Sequence, residues 1–308
     1  MVNIIILIVI VLIVIEIMVI YIKNINIAYK KFNSQDFKTI DTSLGKINYA
    51  EEGAGSPVLI MHGIFGGYDQ GLISGKSFFD ENYRIIAPAR FGYTGSEIPE
   101  VSDCKNQVKS YKEFLDKLGI SKVILMGTSA GGPPAIRFAV EYPERVKALI
   151  LISSSVPTKN KVEGPTGPPS VIYNDFVMWL LTKFVRTVFF NMFGVDRKEY
   201  TNSSNEDKNT FDGLFETMLP VKPRKQGIIN DTNIINKEMA DYELSDIKVP
   251  VLMMNAKDDP MVKILDSKKA VETIPDITFV EFDKGGHLLY GNDKKIKEEL
   301  KRFLDKIE

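Results

Sequence analysis

The chain has 308 residues, of which 44% are hydrophobic and 26% charged, with a formal net charge of -1. That is enough chain for one large domain, or one domain with an insertion, and it carries no basic surplus to hold a nucleic acid. One cysteine, Cys104, excludes an intrachain disulfide, a cysteine-bound zinc cluster and an iron–sulfur centre.

Residues 4–22 read IIILIVIVLIVIEIMVIYI, interrupted only by Glu16. At 1.5 Å per residue this run just crosses a hydrocarbon core of about 30 Å. Were Glu16 central it would oppose insertion by about 2.5–3.5 kcal/mol, taking the aspartate value as a stand-in, and the surrounding Ile, Leu and Val outweigh it at about −0.3 to −0.6 kcal/mol each. The run is apolar all round, unlike a core helix, and it lacks the basic start and small-residue cleavage site of a signal peptide. The expectation is a single-pass anchor over residues 1–24. Lys23, Lys30 and Lys31 flank it on the C-terminal side only, which by the positive-inside rule puts the rest of the chain in the cytoplasm.

Phe37–Thr42 and Lys46–Ala50 predict a hairpin turning at Leu44-Gly45, and Val58–Met61 predicts a buried strand. The strand runs into His62-Gly63-Ile64-Phe65-Gly66-Gly67, a loop able to aim bare amides into a cavity. Tyr83–Ala87 is a further strand, ahead of Arg90-Phe91-Gly92-Tyr93-Thr94-Gly95-Ser96. An amphipathic helix over 103–119 turns Val108, Tyr111, Phe114, Leu115 and Leu118 inward. Next comes Val123–Met126, a strand, then Gly127-Thr128-Ser129-Ala130-Gly131-Gly132. Helical spacing of Ala135, Ile136, Phe138 and Ala139 follows. Strand, sharp turn, helix is the context in which a G-x-S-x-G serine projects from the end of a sheet. Pro133-Pro134 fit a first helical turn, whose amides have no helical partner.

Val146–Ile152 predicts a strand, after which the βα alternation stops. Residues 156–243 carry the Pro/Gly-rich stretch Glu163–Pro169, the aromatic and Met-rich segment Tyr173–Phe193 and the polar loop Thr201–Asn209. They read as an inserted, mainly helical cap between two core segments, 25–155 and 244–308. Alternation resumes with a strand at Val249–Met254 ending in Asn255-Ala256-Lys257-Asp258-Asp259-Pro260. A helix (262–273), a strand (Thr278–Phe282), the loop Lys284-Gly285-Gly286-His287 and a closing helix, Asp293–Ile307, complete the chain. A serine hydroxyl needs a base, and only His62 and His287 offer an imidazole. Asp258 and Asp259 are both placed to orient it.

In His62-Gly63, Gly127-Thr128-Ser129-Ala130-Gly131-Gly132, Tyr142-Pro143-Glu144-Arg145-Val146, Asp258-Asp259-Pro260 and Gly286-His287, the chain resembles the α/β-hydrolase family over about residues 37–307. The order Ser, Asp, His is that family's order, each residue at the C-terminal end of a strand. The resemblance implies a mostly parallel eight-stranded sheet flanked by helices. It further implies Ser129 as nucleophile and His287 as base, with His62 shaping the oxyanion loop. The family's acid stands directly before the Pro-hydrophobic pair, which selects Asp259 and leaves Asp258 as a solvated or turn-capping neighbour. The oxyanion donors implied are the amides of Ala130 and Ile64, with Phe65 the alternative to Ile64. Serine at 129 departs from the dehalogenase and epoxide hydrolase branches, whose nucleophile is a carboxylate. Asn255 stands where the family commonly has glycine.

The implied protein is a membrane-anchored serine hydrolase cleaving a carboxylic ester through an acyl-enzyme. The aromatic cap and bilayer anchor favour an apolar, lipid-like acyl ester as its small-molecule substrate, and no metal or organic cofactor is called for. Amide, thioester or C–C bond hydrolysis and acyl transfer use the same triad. A non-catalytic ligand-binding or scaffold protein retaining the fold is the alternative from another class.

Overall fold

The computed structural model describes residues 2–157, 159, 164 and 166–307. Glu163 and Pro165 of the expected Pro/Gly-rich stretch lie outside the described residues, as do Met1, residues 158 and 160–162, and Glu308.

The chain opens with α1 (Val2–Asn33), continues through the hairpin β1 (Lys38–Thr42) and β2 (Gly45–Glu52), and enters β3 (Ser56–Met61). Then follow α2 (Tyr68–Phe78), β4 (Tyr83–Pro88), α3 (Cys104–Lys117), β5 (Val123–Thr128), α4 (Gly132–Glu141) and β6 (Val146–Ile152). Five helices come next: α5 (Asp175–Phe184), α6 (Arg186–Phe193), α7 (Arg197–Asn202), α8 (Asn205–Thr217) and α9 (Lys225–Asn233). The chain closes with β7 (Val251–Ala256), α10 (Ile264–Thr273), β8 (Ile277–Phe282) and α11 (Asp293–Leu304). The eight strands form one sheet in the order β1-β2-β4-β3-β5-β6-β7-β8. β2 runs antiparallel to β1 and β4, and every other neighbour is parallel.

The apolar runs in β3, β5, β6 and β7 are continuous because both faces of the sheet are covered, and successive side chains alternate between them. Leu59, Met61, Leu125, Leu149 and Met253 face α3, α4 and α10, meeting Val108, Phe114, Ile136, Phe138 and Ala270. Val58, Ile60, Met126, Ile150 and Leu252 face the opposite layer, where α11 contributes Ile296, Leu300 and Phe303. A third apolar cluster joins Phe65, Tyr68 and Tyr93 to Met178, Phe189, Phe190, Phe193, Phe211 and Phe215 of the inserted helices.

α2 is an element that periodicity alone does not predict, because Gly71 and Gly75 interrupt it. Both are there for close packing. A Cβ on Gly75 would stand 2.3 Å from Ile85 Cγ2, and one on Gly71 2.9 Å from Ala87 Cβ. The expected strand at 249–254 begins instead at Val251, after Pro250, which has no amide for the ladder; Val251 N donates to Asp276 O at 2.9 Å.

α1 stands largely clear of the body. Residues 2–16 are all exposed, and packing starts beyond them. There Tyr21 meets Phe176 and Trp179 at ring-centroid distances of 5.0 and 5.3 Å, and Tyr29 OH donates to Asp175 Oδ2 at 2.8 Å. Length and composition suffice for a membrane span, and the N-terminal position fits a signal sequence as well.

Candidate active site

β5 delivers Ser129 at its C-terminal end, where the chain turns through a 3-10 turn, Ser129–Gly131, into α4. Ser129 has φ 50°, a left-handed conformation that non-glycine residues rarely adopt and that the surrounding packing must hold. The packing is close indeed. A Cβ on Gly131 would stand 2.0 Å from Met61 O, and one on Gly127 2.7 Å from Ala135 Cβ, so neither position admits a side chain.

His287 lies in the turn Gly286–Leu288 after β8, with its side chain buried. Its Nε2 is 2.8 Å from Ser129 Oγ, and its Nδ1 is 2.9 Å from Asp259 Oδ2. Asp259 Oδ1 also accepts from the amides of Met261 (2.8 Å) and Val262 (3.0 Å), which fixes the carboxylate behind the ring. Asp258, its neighbour, faces elsewhere: Oδ1 accepts from Gly286 N at 2.9 Å and Oδ2 from Gly285 N at 3.3 Å. It therefore grips the backbone that carries His287, a more specific role than capping a turn. Phe193 stacks on the His287 ring at 6.1 Å between centroids.

Both ring nitrogens of His62 are bonded to backbone groups rather than to Ser129. Nδ1 is 2.8 Å from Gly63 O, and Nε2 accepts from the Arg90 amide at 3.1 Å. This pattern requires the proton on Nδ1 and none on Nε2. Burial pushes its pKa well below 6.5, and the Arg90 guanidinium adds to the effect. A neutral, immobile imidazole is the result.

The loop after β3 is held by two buried arginines that sequence reasoning does not single out. Arg90 Nη2 donates to Gly63 O at 3.3 Å, and Arg224 Nε donates to Phe65 O at 3.0 Å. Each arginine is paired with a carboxylate from the other side of the fold. Arg90, after β4, bonds Asp231 of α9 through both Nη atoms at 2.5 Å, and Tyr93 OH joins the same carboxylate at 2.5 Å. Arg224, just before α9, pairs with Asp69 in the first turn of α2. The two ion pairs thus cross between sheet layer and inserted helices in opposite directions. Because the peptide unit is planar and trans, fixing Gly63 O also fixes the opposed direction of the Ile64 N–H.

Ser129, Ala130, Ile64, Phe65 and His287 border one cavity of about 660 Å³, whose walls include Met192, Phe193, Phe211 and Leu214. Among its described lining residues Lys31 is the only lysine or arginine. No group of three or more metal-ligating side chains occurs among the described residues. The arrangement has the parts for proton transfer from a serine hydroxyl to an imidazole backed by a carboxylate.

Comparison with known proteins agrees with this fold. Over 254 residues the chain is 26% identical to a 2-hydroxy-6-oxononadienedioate/2-hydroxy-6-oxononatrienedioate hydrolase of Paraburkholderia phymatum, covering 79% of this chain and 84% of that protein. It is 30% identical over 187 residues to Lipase 1 of Psychrobacter immobilis, a match spanning 53% of this chain and 58% of the lipase. An alpha/beta hydrolase fold protein from Nakamurella multipartita superposes with a TM-score of 0.74 at 25% identity, over 87% of this chain and 99% of its own. The family model described as alpha/beta hydrolase fold matches residues 56–293, from the first residue of β3 to the first of α11, and the chain belongs to that family.

Proposed function

We propose that this hydrolase cleaves a carboxylic ester with an apolar acyl group, through an acyl-enzyme on Ser129. The observation that carries the reading is the Ser129–His287–Asp259 chain of contacts opening on a cavity walled by Met192, Phe193, Phe211 and Leu214. Ser129 Oγ attacks the acyl carbon while its proton passes to His287 Nε2. The carbonyl oxygen takes the electron pair and is held by the amides of Ala130 and Ile64, with Phe65 as the alternative donor. Collapse breaks the bond to the alcohol, which leaves with the proton from His287. Water repeats the attack through the same imidazole, releases the acid and restores Ser129. Asp259 holds the tautomer and stabilises the imidazolium.

The same reading takes residues 1–24 as a membrane anchor, 25–155 and 244–308 as the hydrolase core, and 156–243 as a cap. The three lysines flanking the apolar run favour a cytoplasmic catalytic domain.

The relative from Paraburkholderia phymatum raises C–C bond hydrolysis as a second reading. The substrates in its name are dioates, and a dianionic ligand needs cationic partners. Lys31 is the sole lysine or arginine among the described cavity residues, and it pairs with Glu216 at 3.2 Å, so a neutral ester fits better.

The test is hydrolysis of p-nitrophenyl esters from two to sixteen carbons by detergent-solubilised protein, beside Ser129→Ala. Turnover that peaks at long chains and vanishes in the variant is the expected result. A peak at two to four carbons moves the substrate to small soluble esters. Absence of serine-dependent turnover, with no fluorophosphonate labelling of Ser129, overturns the reading in favour of a ligand-binding protein.

A further inference from the structure

The contacts between α1 and α5 fix the relative direction of the two helices. Tyr29 of α1 is bonded to Asp175, the first residue of α5. Nearer the N-terminus, Tyr21 meets Phe176 and Trp179. α5 therefore runs alongside α1 in the opposite sense, and its C-terminal end heads toward the exposed apolar length of α1. Trp179 continues the row to Phe184, the last residue of α5, at 5.5 Å between centroids. There the chain bends by 88° into α6. The corner leaves three large apolar side chains in the open: Phe184 is 58% exposed, Val185 44% and Val188 42%. Lys183, exposed, and Arg186, which is paired with Asp212, flank them.

We propose that this α5–α6 corner is a second membrane-contacting surface, seated at the headgroup–acyl boundary of the bilayer that α1 crosses. The proposal rests on the reading of α1 as a span. An apolar tip with the exposed Lys183 at its edge suits that boundary, where apolar groups leave water and a cation meets lipid phosphates. A second copy of this chain is the weaker occupant. A stable protein interface takes roughly 800 Å² from each partner, more than three side chains expose. Lipid contact needs no such minimum, because α1 already tethers the corner beside the bilayer.

Position gives the contact a function. α6 leads from the corner to Phe193, whose ring stacks on His287, and Met192 lines the cavity. Eight helical residues span about 11 Å, so one short helix separates the lipid surface from the reacting serine's base. The corner thus brings the cavity close to where lipid-borne esters reside.

The test uses full-length protein in phosphatidylcholine–phosphatidylglycerol vesicles, with an environment-sensitive dye on single introduced cysteines. Cys104 is buried, and burial raises its thiol pKa well above the usual value, so the native background stays unlabelled. Val185→Cys reports the corner, Ile10→Cys the span and Lys294→Cys, on a 93% exposed side chain, the aqueous reference. The expected result is blue-shifted emission at 185, quenched by shallow spin-labelled lipids several-fold more than at 294. A dye in lipid at 10 and in water at 185 overturns the corner contact and leaves the anchor standing. A dye in water at 10 removes the anchor and the proposal together. Shielding at 185 without lipid quenching, with cross-links between copies, assigns the corner to a second copy and overturns the proposal.

Discussion

Asp258 and Asp259 are adjacent in sequence and separate in what they hold. Asp259 meets the imidazole of His287, while Asp258 meets the amides beneath it. Asp259→Asn should lower kcat by about 10⁴, because an amide there favours the wrong imidazole tautomer. Asp258→Ala should cost far less and raise the mobility of the Gly285–His287 turn; pre-steady-state acylation rates of the two variants, side by side, check this. His62 allows a second expectation. In the unfolded chain it takes up a proton below about pH 6.5, while in the fold burial and Arg90 hold its pKa well lower. The unfolded state then binds more protons, so stability is lost as pH falls below about 6.5, with a slope of up to about 1.4 kcal/mol per pH unit from this residue. Urea midpoints between pH 5 and 8 should depend on pH less steeply in His62→Gln than in the parent.

At the scale of elements, the crossed ion pairs decide how firmly the loop after β3 is held. Arg224 and Asp69 are both fully buried, so removing one partner strands the other's charge. Arg224→Met should destabilise by about 3–5 kcal/mol and Arg224→Met with Asp69→Leu by much less, as read from denaturant midpoints. The single variant should also lower kcat more than it raises KM, since it frees the Phe65 carbonyl. These pairs were beyond the reach of sequence reading: Arg224 and Asp69 lie 155 residues apart, in segments with no local pattern that joins them. α2 escaped for a different reason, since Gly71 and Gly75 lower helix propensity while allowing the helix to lie close to β4. The strands were legible because β-branched runs bounded by glycine have few other uses. As candidates, Ser129 and His287 stood out through chain order and the scarcity of histidine, and Asp259 through the family resemblance, which sets the acid before Pro260. Their mutual distances needed the fold.

Across the whole molecule, the contacts of α1 with the body among the described residues come from positions beyond residue 16. A chain lacking residues 2–16 keeps Tyr21, Tyr29 and Phe32 in place against the body and should fold, hydrolyse short soluble esters and no longer sediment with membranes. Persistent sedimentation of that chain would assign membrane attachment to the body rather than to α1. The crossed ion pairs also impose an order on synthesis. Arg90 and Asp69 leave the ribosome more than a hundred residues before Asp231 and Arg224 supply their counter-charges. Until then neither can be buried without cost, so the loop that carries Ile64 should stay open while strands β1 to β6 are already available to pair. That loop should close only once the chain has grown past residue 231, and the sheet itself is completed later still, by β7 and β8.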